Sequence, residues 1–139
     1  MIQIIFGKRG SGKTKRIIDL ANESIKEQKG DVLFIDDDNR YMFDLRHEIR
    51  FVNAGEYGVQ GAEKFMGFIN GIMAGNFDVS LVFIDAFLRL VKTDKPDIYQ
   101  LEDFFGELEA LSARCKVDFV ISLSEDATLV PDPIRKFAI

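Results

Sequence analysis

Gly7-Lys8-Arg9-Gly10-Ser11-Gly12-Lys13-Thr14 spaces three glycines ahead of a lysine and a threonine. Before it, Ile2 to Phe6 is an apolar run that reads as a short buried strand. After it, from Lys13 to roughly Lys29, Ile17, Ile18, Ala21, Ser24 and Ile25 recur at helical spacing and leave one face apolar. The order is strand, glycine loop, helix. Glycines let such a loop curl around a phosphate without side-chain obstruction and turn its N–H groups inward. The amino terminus of the helix adds a favourable field for negative charge. Lys13 is then placed to reach the beta and gamma phosphates, and the Thr14 hydroxyl can ligate magnesium. Gly7, Gly10, Ser11, Gly12, Lys13 and Thr14 are accordingly the expected phosphate-binding residues.

Working outward, Gly30 stops the first helix and Val32 to Ile35 begins a second buried strand. Asp36, Asp37, Asp38 and Asn39 are expected in the loop or helix cap beyond its carboxyl end. A helical piece at Tyr41 to Leu45 and a short strand at Arg50 to Val52 follow. From Val59 to Ala74, Ala62, Phe65, Met66, Ile69, Ile72 and Met73 recur at helical spacing. Gly61, Gly67, Gly71 and Gly75 interrupt that pattern and predict close packing or local bending. Val79 to Ile84 is a third buried strand of this kind, ending at Asp85. After Pro96, Asp97 is placed to cap a helix with Gln100 at its third position, and Leu101, Phe104, Phe105, Leu108 and Leu111 form its buried side. Val117 to Ile121 is a further strand, with Ser122 and Ser124 just beyond it. The tail offers an edge strand at Ile134 to Ala138 or a packed extended terminus.

Near-continuous apolar strands separated by helices indicate an α/β fold, a mostly parallel sheet of roughly five or six strands covered on both faces. One domain spanning 1–139 is expected. With 47% hydrophobic and 29% charged residues, the 139-residue chain is globular rather than disordered or collagenous. Its length leaves no room for the lid and oligomerisation domains of a large motor ATPase. The single cysteine, Cys115, excludes an internal disulfide and fits a reducing, cytoplasmic setting. Eighteen basic against 23 acidic residues give a net charge of −5, which provides no general attraction to nucleic acid or anionic membrane. Lys8, Arg9, Lys13, Lys15 and Arg16 nevertheless concentrate positive charge around the glycine loop. Membrane insertion is not expected, because Val79 to Val91 is broken by Asp85 and Arg89 and is shorter than the ~20 residues a spanning helix needs.

In these features the sequence resembles the P-loop NTPase superfamily. Gly7 to Thr14 matches its Walker A motif, and Leu81-Val82-Phe83-Ile84-Asp85 looks like its Walker B strand. The resemblance implies a three-layer P-loop fold that binds ATP or GTP with Mg2+, with Asp85 ligating the metal directly or through its water shell. In many such ATPases an acidic residue follows the Walker B aspartate or ends a neighbouring strand and orients the attacking water. Here Ala86 follows Asp85, so the acid is sought among Asp36, Asp37 and Asp38, with Asp37 the central candidate. Ser122 is a candidate sensor of the terminal phosphate. Arg89 and Arg135 either contribute charge to a site or form surface salt bridges. His47 reads as an ordinary polar residue and Cys115 as a core thiol.

The functional expectation is magnesium-dependent ATP binding and hydrolysis by a small ATPase or nucleotide switch, with similarity to RecA-like ATPases. Lys13, Asp37 and Asp85 are its expected catalytic residues, and Thr14 and Asp85 its metal ligands. No guanine-reading NKxD-like loop is present, which makes adenine the default base. The alternatives are a small nucleoside or nucleotide kinase, or a nonhydrolytic nucleotide-binding subunit. Asn39-Arg40-Tyr41 is similar to the thymidine kinase branch, although Asp85-Ala86 departs from its acidic pair and no cysteine cluster supports a zinc lobe. A protein partner or a second copy of the chain is expected to use the nucleotide state, and a nucleic-acid partner is left open.

Overall fold

Five apolar runs form the strands β1 (Ile2–Phe6), β2 (Asp31–Asp36), β3 (Arg50–Asn53), β4 (Val79–Ile84) and β5 (Asp118–Leu123) of one sheet. A computed structural model describes residues 1–91 and 98–139. The strands lie in the order β1-β5-β4-β2-β3, and all neighbours run parallel. Parallel pairing requires a crossover after each strand, and helices on both faces explain why these strands are apolar on both sides.

Alternation along each strand divides the side chains between two layers. Ile5, Val32, Phe34, Leu81, Phe83 and Val120 pack toward α1 (Lys13–Ser24), joining Ile17, Ile18 and Ala21. Ile4, Leu33, Ile35, Val82, Ile84, Phe119 and Ile121 pack on the opposite face. There they meet α2 (Ala62–Gly75), the single turn α3 (Phe87–Leu90), α4 (Ile98–Cys115) and the short α5 (Asp132–Arg135). The result is an α/β three-layer structure with a five-stranded parallel sheet, as the sequence pattern predicts. On the second face, Phe87 is fully buried, with its ring centroid 5.2 Å from that of Phe104, 5.4 Å from Phe105 and 6.3 Å from Phe65.

Several boundaries differ from the sequence expectation. α1 stops at Ser24, short of Lys29, where the Ser24 hydroxyl donates back to the Ala21 carbonyl at 2.7 Å. β2 runs one residue further than Ile35 and takes in Asp36, which is not a loop residue. β5 likewise includes Ser122. The helix expected from Val59 begins only at Ala62, after Gly61 at φ +99°. A side chain added at Gly67, Gly71 or Gly75 would meet nothing within 4 Å, so these glycines do not serve close packing. In the tail, Asp132 to Arg135 turn as a helix, and only Ala138 bridges in parallel to Ile4. The cap expected of Asp97 lies outside the described residues. Among the described residues, no helix is long and apolar enough to cross a membrane.

Truncation of Phe87 to Ala removes the ring shared by three aromatic neighbours and is expected to destabilise the protein by about 3–5 kcal/mol. Urea unfolding checks this, and a loss below about 1 kcal/mol would contradict the packing described.

Candidate functional site

The carboxyl ends of β2, β4 and β5 carry a single row of polar residues. Ile35, Ile84, Ile121 and Ile4 are in register across the four strands. One residue further on stand Asp36, Asp85 and Ser122, with Ile5 opposite Ser122. Pleat alternation turns this row toward the α1 layer, the same face as Phe34, Phe83 and Val120. The row therefore faces the start of α1, where the glycine loop delivers Lys13 and Thr14.

The loop itself is tightly determined. Gly10 and Gly12 sit at φ +83° and +89°, which glycine adopts without the penalty a side chain incurs. Gly12 is the residue before α1 and offers no side-chain cap, which leaves the first amides of the helix to other acceptors. A Cβ at Gly7 would collide with the Ser11 hydroxyl. Lys13 is buried and curls back over the loop, donating from Nζ to the Lys8 carbonyl at 2.8 Å and to the Ser11 hydroxyl at 3.5 Å. Burial lowers its pKa, the Asp85 carboxylate opposes that change, and Arg9 adds to it.

Asp85 is held from two sides. Thr14 Oγ1 donates to its Oδ2 at 3.1 Å, and the Ser122 hydroxyl donates to its Oδ1. Ser122 is thus committed to the carboxylate expected to act beside it, while Ser124 lines the neighbouring cleft.

The three consecutive aspartates separate into three environments. Asp36 is only 1% exposed; its Oδ1 accepts from the Asp37 N–H at 2.7 Å, and its Oδ2 is buried without a partner among the described residues. Burial is the main cause that pushes its pKa up to about 8, with repulsion from Asp85 and Asp37 adding to it and the Asp37 N–H opposing. Asp37 is gripped by Arg89, whose Nε and Nη2 donate to it at 2.7 and 3.1 Å. Burial works against its ionisation, but these hydrogen bonds outweigh it and hold the carboxyl below its ordinary value. Asp38 is more exposed and pairs with Arg40 at 3.4 Å. The carboxylate oxygens of all three lie within 4.8 Å of one another. Two guanidinium groups already neutralise Asp37 and Asp38, which removes the electrostatic reason for a cation there.

Arg89 reaches Asp37 from α3, a turn that sequence periodicity does not reveal. It is launched by Ala86 at φ +59°, a left-handed conformation that disfavours a Cβ. Gly55, in the turn after β3, lies so close to the Asp37 carbonyl that a Cβ there would collide with it. A cleft of about 630 Å³ adjoins these elements, lined among others by Gly12, Lys13, Thr14, Asp85, Arg40 and Arg89. His47 is exposed and pairs with Glu48 at 3.0 Å, Cys115 packs against the core, and Arg135 pairs with Asp132. All three stand apart from the cleft lining.

No protein-family model matches the chain, and no curated protein matches it. Among solved structures it is similar to the flagellar accessory protein FlaH from Methanocaldococcus jannaschii, at 14% identity and a TM-score of 0.55, over 97% of this chain and 65% of that one. It is also similar to domain III of the Thermotoga maritima replication initiation protein DnaA, at 18% identity and a TM-score of 0.48, over 98% of this chain and 50% of that one. The chain thus spans less than two thirds of the length of either protein. The first likeness supports the fold alone, a three-layer α/β structure on a parallel five-stranded sheet.

The raised pKa of Asp36 makes stability pH-dependent in a defined direction. Between about pH 4 and pH 8 the unfolded chain ionises Asp36 while the folded protein keeps it protonated, so stability falls as pH rises through that window. Asp36→Asn is expected to gain stability relative to the native protein as pH increases from about 5 to 9, read by urea unfolding at each pH. A gap that stays constant with pH would contradict the environment assigned to Asp36.

Proposed function

We propose that the chain binds ATP with magnesium through Gly7–Thr14 and Asp85 and hydrolyses it, acting as a small ATPase or nucleotide switch. The observation that carries this reading is the Thr14–Asp85 hydrogen bond of 3.1 Å, which joins residues 71 apart in sequence. Two motifs recognised separately in the sequence meet at one point, beside a buried lysine and the free amides of a helix start. In this reading Lys13 and the amides of Gly10 to Thr14 hold the phosphates, where fixed donors counter the charge that develops on transfer.

A hydroxyl and a carboxylate oxygen at that distance are hard oxygen donors of the kind magnesium prefers, so the residues fit the ion. Thr14 and Asp85 would hold it, and the chemistry it supplies is neutralisation of phosphate charge. Ser122 fixes one Asp85 oxygen and so leaves the other directed at Thr14.

Water activation is assigned to Asp36 in preference to Asp37. β2 is the immediate neighbour of β4, and the P-loop resemblance allows the acid to end a strand neighbouring the Walker B-like one. Asp36 ends that strand beside Asp85, and its Oδ2 has no partner among the described residues. With a pKa of about 8, Asp36 acts as general base in its ionised form, so phosphate release is expected to rise with pH toward about 8, whereas Asp37 is committed to Arg89. Asp37 then supports Asp36 through its backbone N–H. The kinase alternative draws on one observation, namely that Arg40 and Tyr41 line the same cleft, where an acceptor would have to be placed.

Nucleotide binding and phosphate-product analysis with magnesium test the proposal. Lys13→Ala is expected to weaken ATP binding by about tenfold or more. Asp36→Asn is expected to retain binding and to lose about 10²–10⁴ in phosphate release. Folded native protein that binds neither ATP nor GTP, with Lys13→Ala changing nothing, would refute the reading. Transfer of phosphate to a supplied nucleoside instead of to water would select the kinase.

A further inference from the structure

The Asp37–Arg89 pair is placed where it has more to do than close a surface loop. Arg89 lines the cleft that Gly12, Lys13 and Thr14 also line. Its backbone is fixed, because Phe87 and Leu90 on either side of it in α3 are buried in the core and the Arg89 N–H donates to the Ala86 carbonyl at 3.0 Å. Its side chain is half exposed, and it is bound at its tip to a single carboxylate. A long side chain on a fixed stem can exchange one anionic partner for another within its reach without moving the fold.

We propose that Arg89 distinguishes a nucleoside triphosphate from a diphosphate, resting on Asp37 until a terminal phosphate takes it over. The inference rests on the nucleotide reading of the same cleft and adds the residue that senses phosphate number.

Three features support the exchange. A guanidinium presents a planar fork that fits a carboxylate or a phosphate, so both partners satisfy the same donors. A terminal phosphate carries more negative charge than the Asp37 carboxylate and offers three oxygens in place of two. The Asp37 side chain keeps 22% of its surface exposed and that of Arg89 about half, so on release the carboxylate has an open side through which water can solvate it. A diphosphate bound at the loop lacks the group that would draw Arg89 away.

The exchange also has a route outward. Asp37 is tied to Asp36 through its N–H, and its carbonyl abuts Gly55 after β3. The residues that follow include Arg40 and Tyr41 of the cleft. Release of Asp37 therefore acts on the segment between β2 and β3.

The test is calorimetric titration of ADP and of the non-hydrolysable analogue AMP-PNP, each with magnesium, into native protein, Arg89→Ala, Arg89→Lys and Asp37→Asn. Arg46→Ala removes the same charge from a guanidinium paired with Glu48 and serves as the control. Arg89→Ala is expected to weaken AMP-PNP binding by about tenfold or more while ADP changes less than about twofold, with Arg89→Lys between the two. Asp37→Asn is expected to strengthen AMP-PNP binding and leave ADP unchanged, because it removes the competitor. These opposite signs separate the exchange from a purely structural ion pair, whose two halves would weaken both nucleotides alike. Equal effects on ADP and AMP-PNP, or weaker AMP-PNP binding in Asp37→Asn, overturn the inference while leaving the nucleotide site intact. If Arg89→Ala does not fold, the sign of the Asp37→Asn effect still decides. Native protein that binds neither ligand overturns the nucleotide reading and this inference together.

Discussion

The Asp85 carboxylate accepts one hydroxyl from the start of α1 and another from the end of β5. A carboxylate buried without such donors costs several kcal/mol, so its position is permitted only where both Thr14 and Ser122 are delivered to it. The sheet order meets that requirement. β5 lies between β1 and β4, which places Ser122 beside Asp85 and leaves the glycine loop, on the far side of β5, to reach across through Thr14. The loop, the helix it starts and the central strands are therefore fixed relative to one another by one side chain.

Around that point, charges of both signs are arranged with little spare. The chain is acidic overall, yet Lys13, Arg40 and Arg89 line the cleft with Asp85, and Asp36, Asp37 and Asp38 follow on the neighbouring strand end. Each aspartate is accommodated differently: Asp85 by two hydroxyls, Asp37 by a bidentate arginine, Asp38 by an exposed arginine, and Asp36 by keeping its proton near neutral pH. A run of like charges that looks self-repelling in sequence is resolved in space by distributing its members among different partners. Among the described residues, Asp36 Oδ2 is the buried side-chain oxygen left without a partner, and the proposed water activation is assigned to it.

The fold was largely legible because its signals are local. The glycine loop declares itself by spacing, and the apolar strands and amphipathic helices by their periods. Asp85 could be placed because it ends an apolar run. Asp36 was harder. An aspartate is a poor strand former, and composition put it in the loop with its neighbours. The pleat carries the missing signal, since Val32, Phe34 and Asp36 share one face, and register then sets Asp36 beside Asp85. Nothing local announces the Asp37–Arg89 pair, which spans 52 residues and depends on a one-turn helix behind a left-handed Ala86. The glycines of α2 misled for a related reason: they lie on its open side, where no neighbour uses the space they leave.

The nucleotide reading requires the glycine loop and the Asp85 row to form one site. Amide NMR of the labelled protein tests it most directly, with spectra recorded before and after addition of AMP-PNP and magnesium. The largest shifts are predicted at Gly10, Gly12, Lys13 and Thr14, with a second group at Asp36, Asp85 and Ser122 that appears only when magnesium is present. Shifts confined to another part of the molecule, such as the groove between α2 and α4 lined by Met66, Asn70 and Phe104, would contradict it.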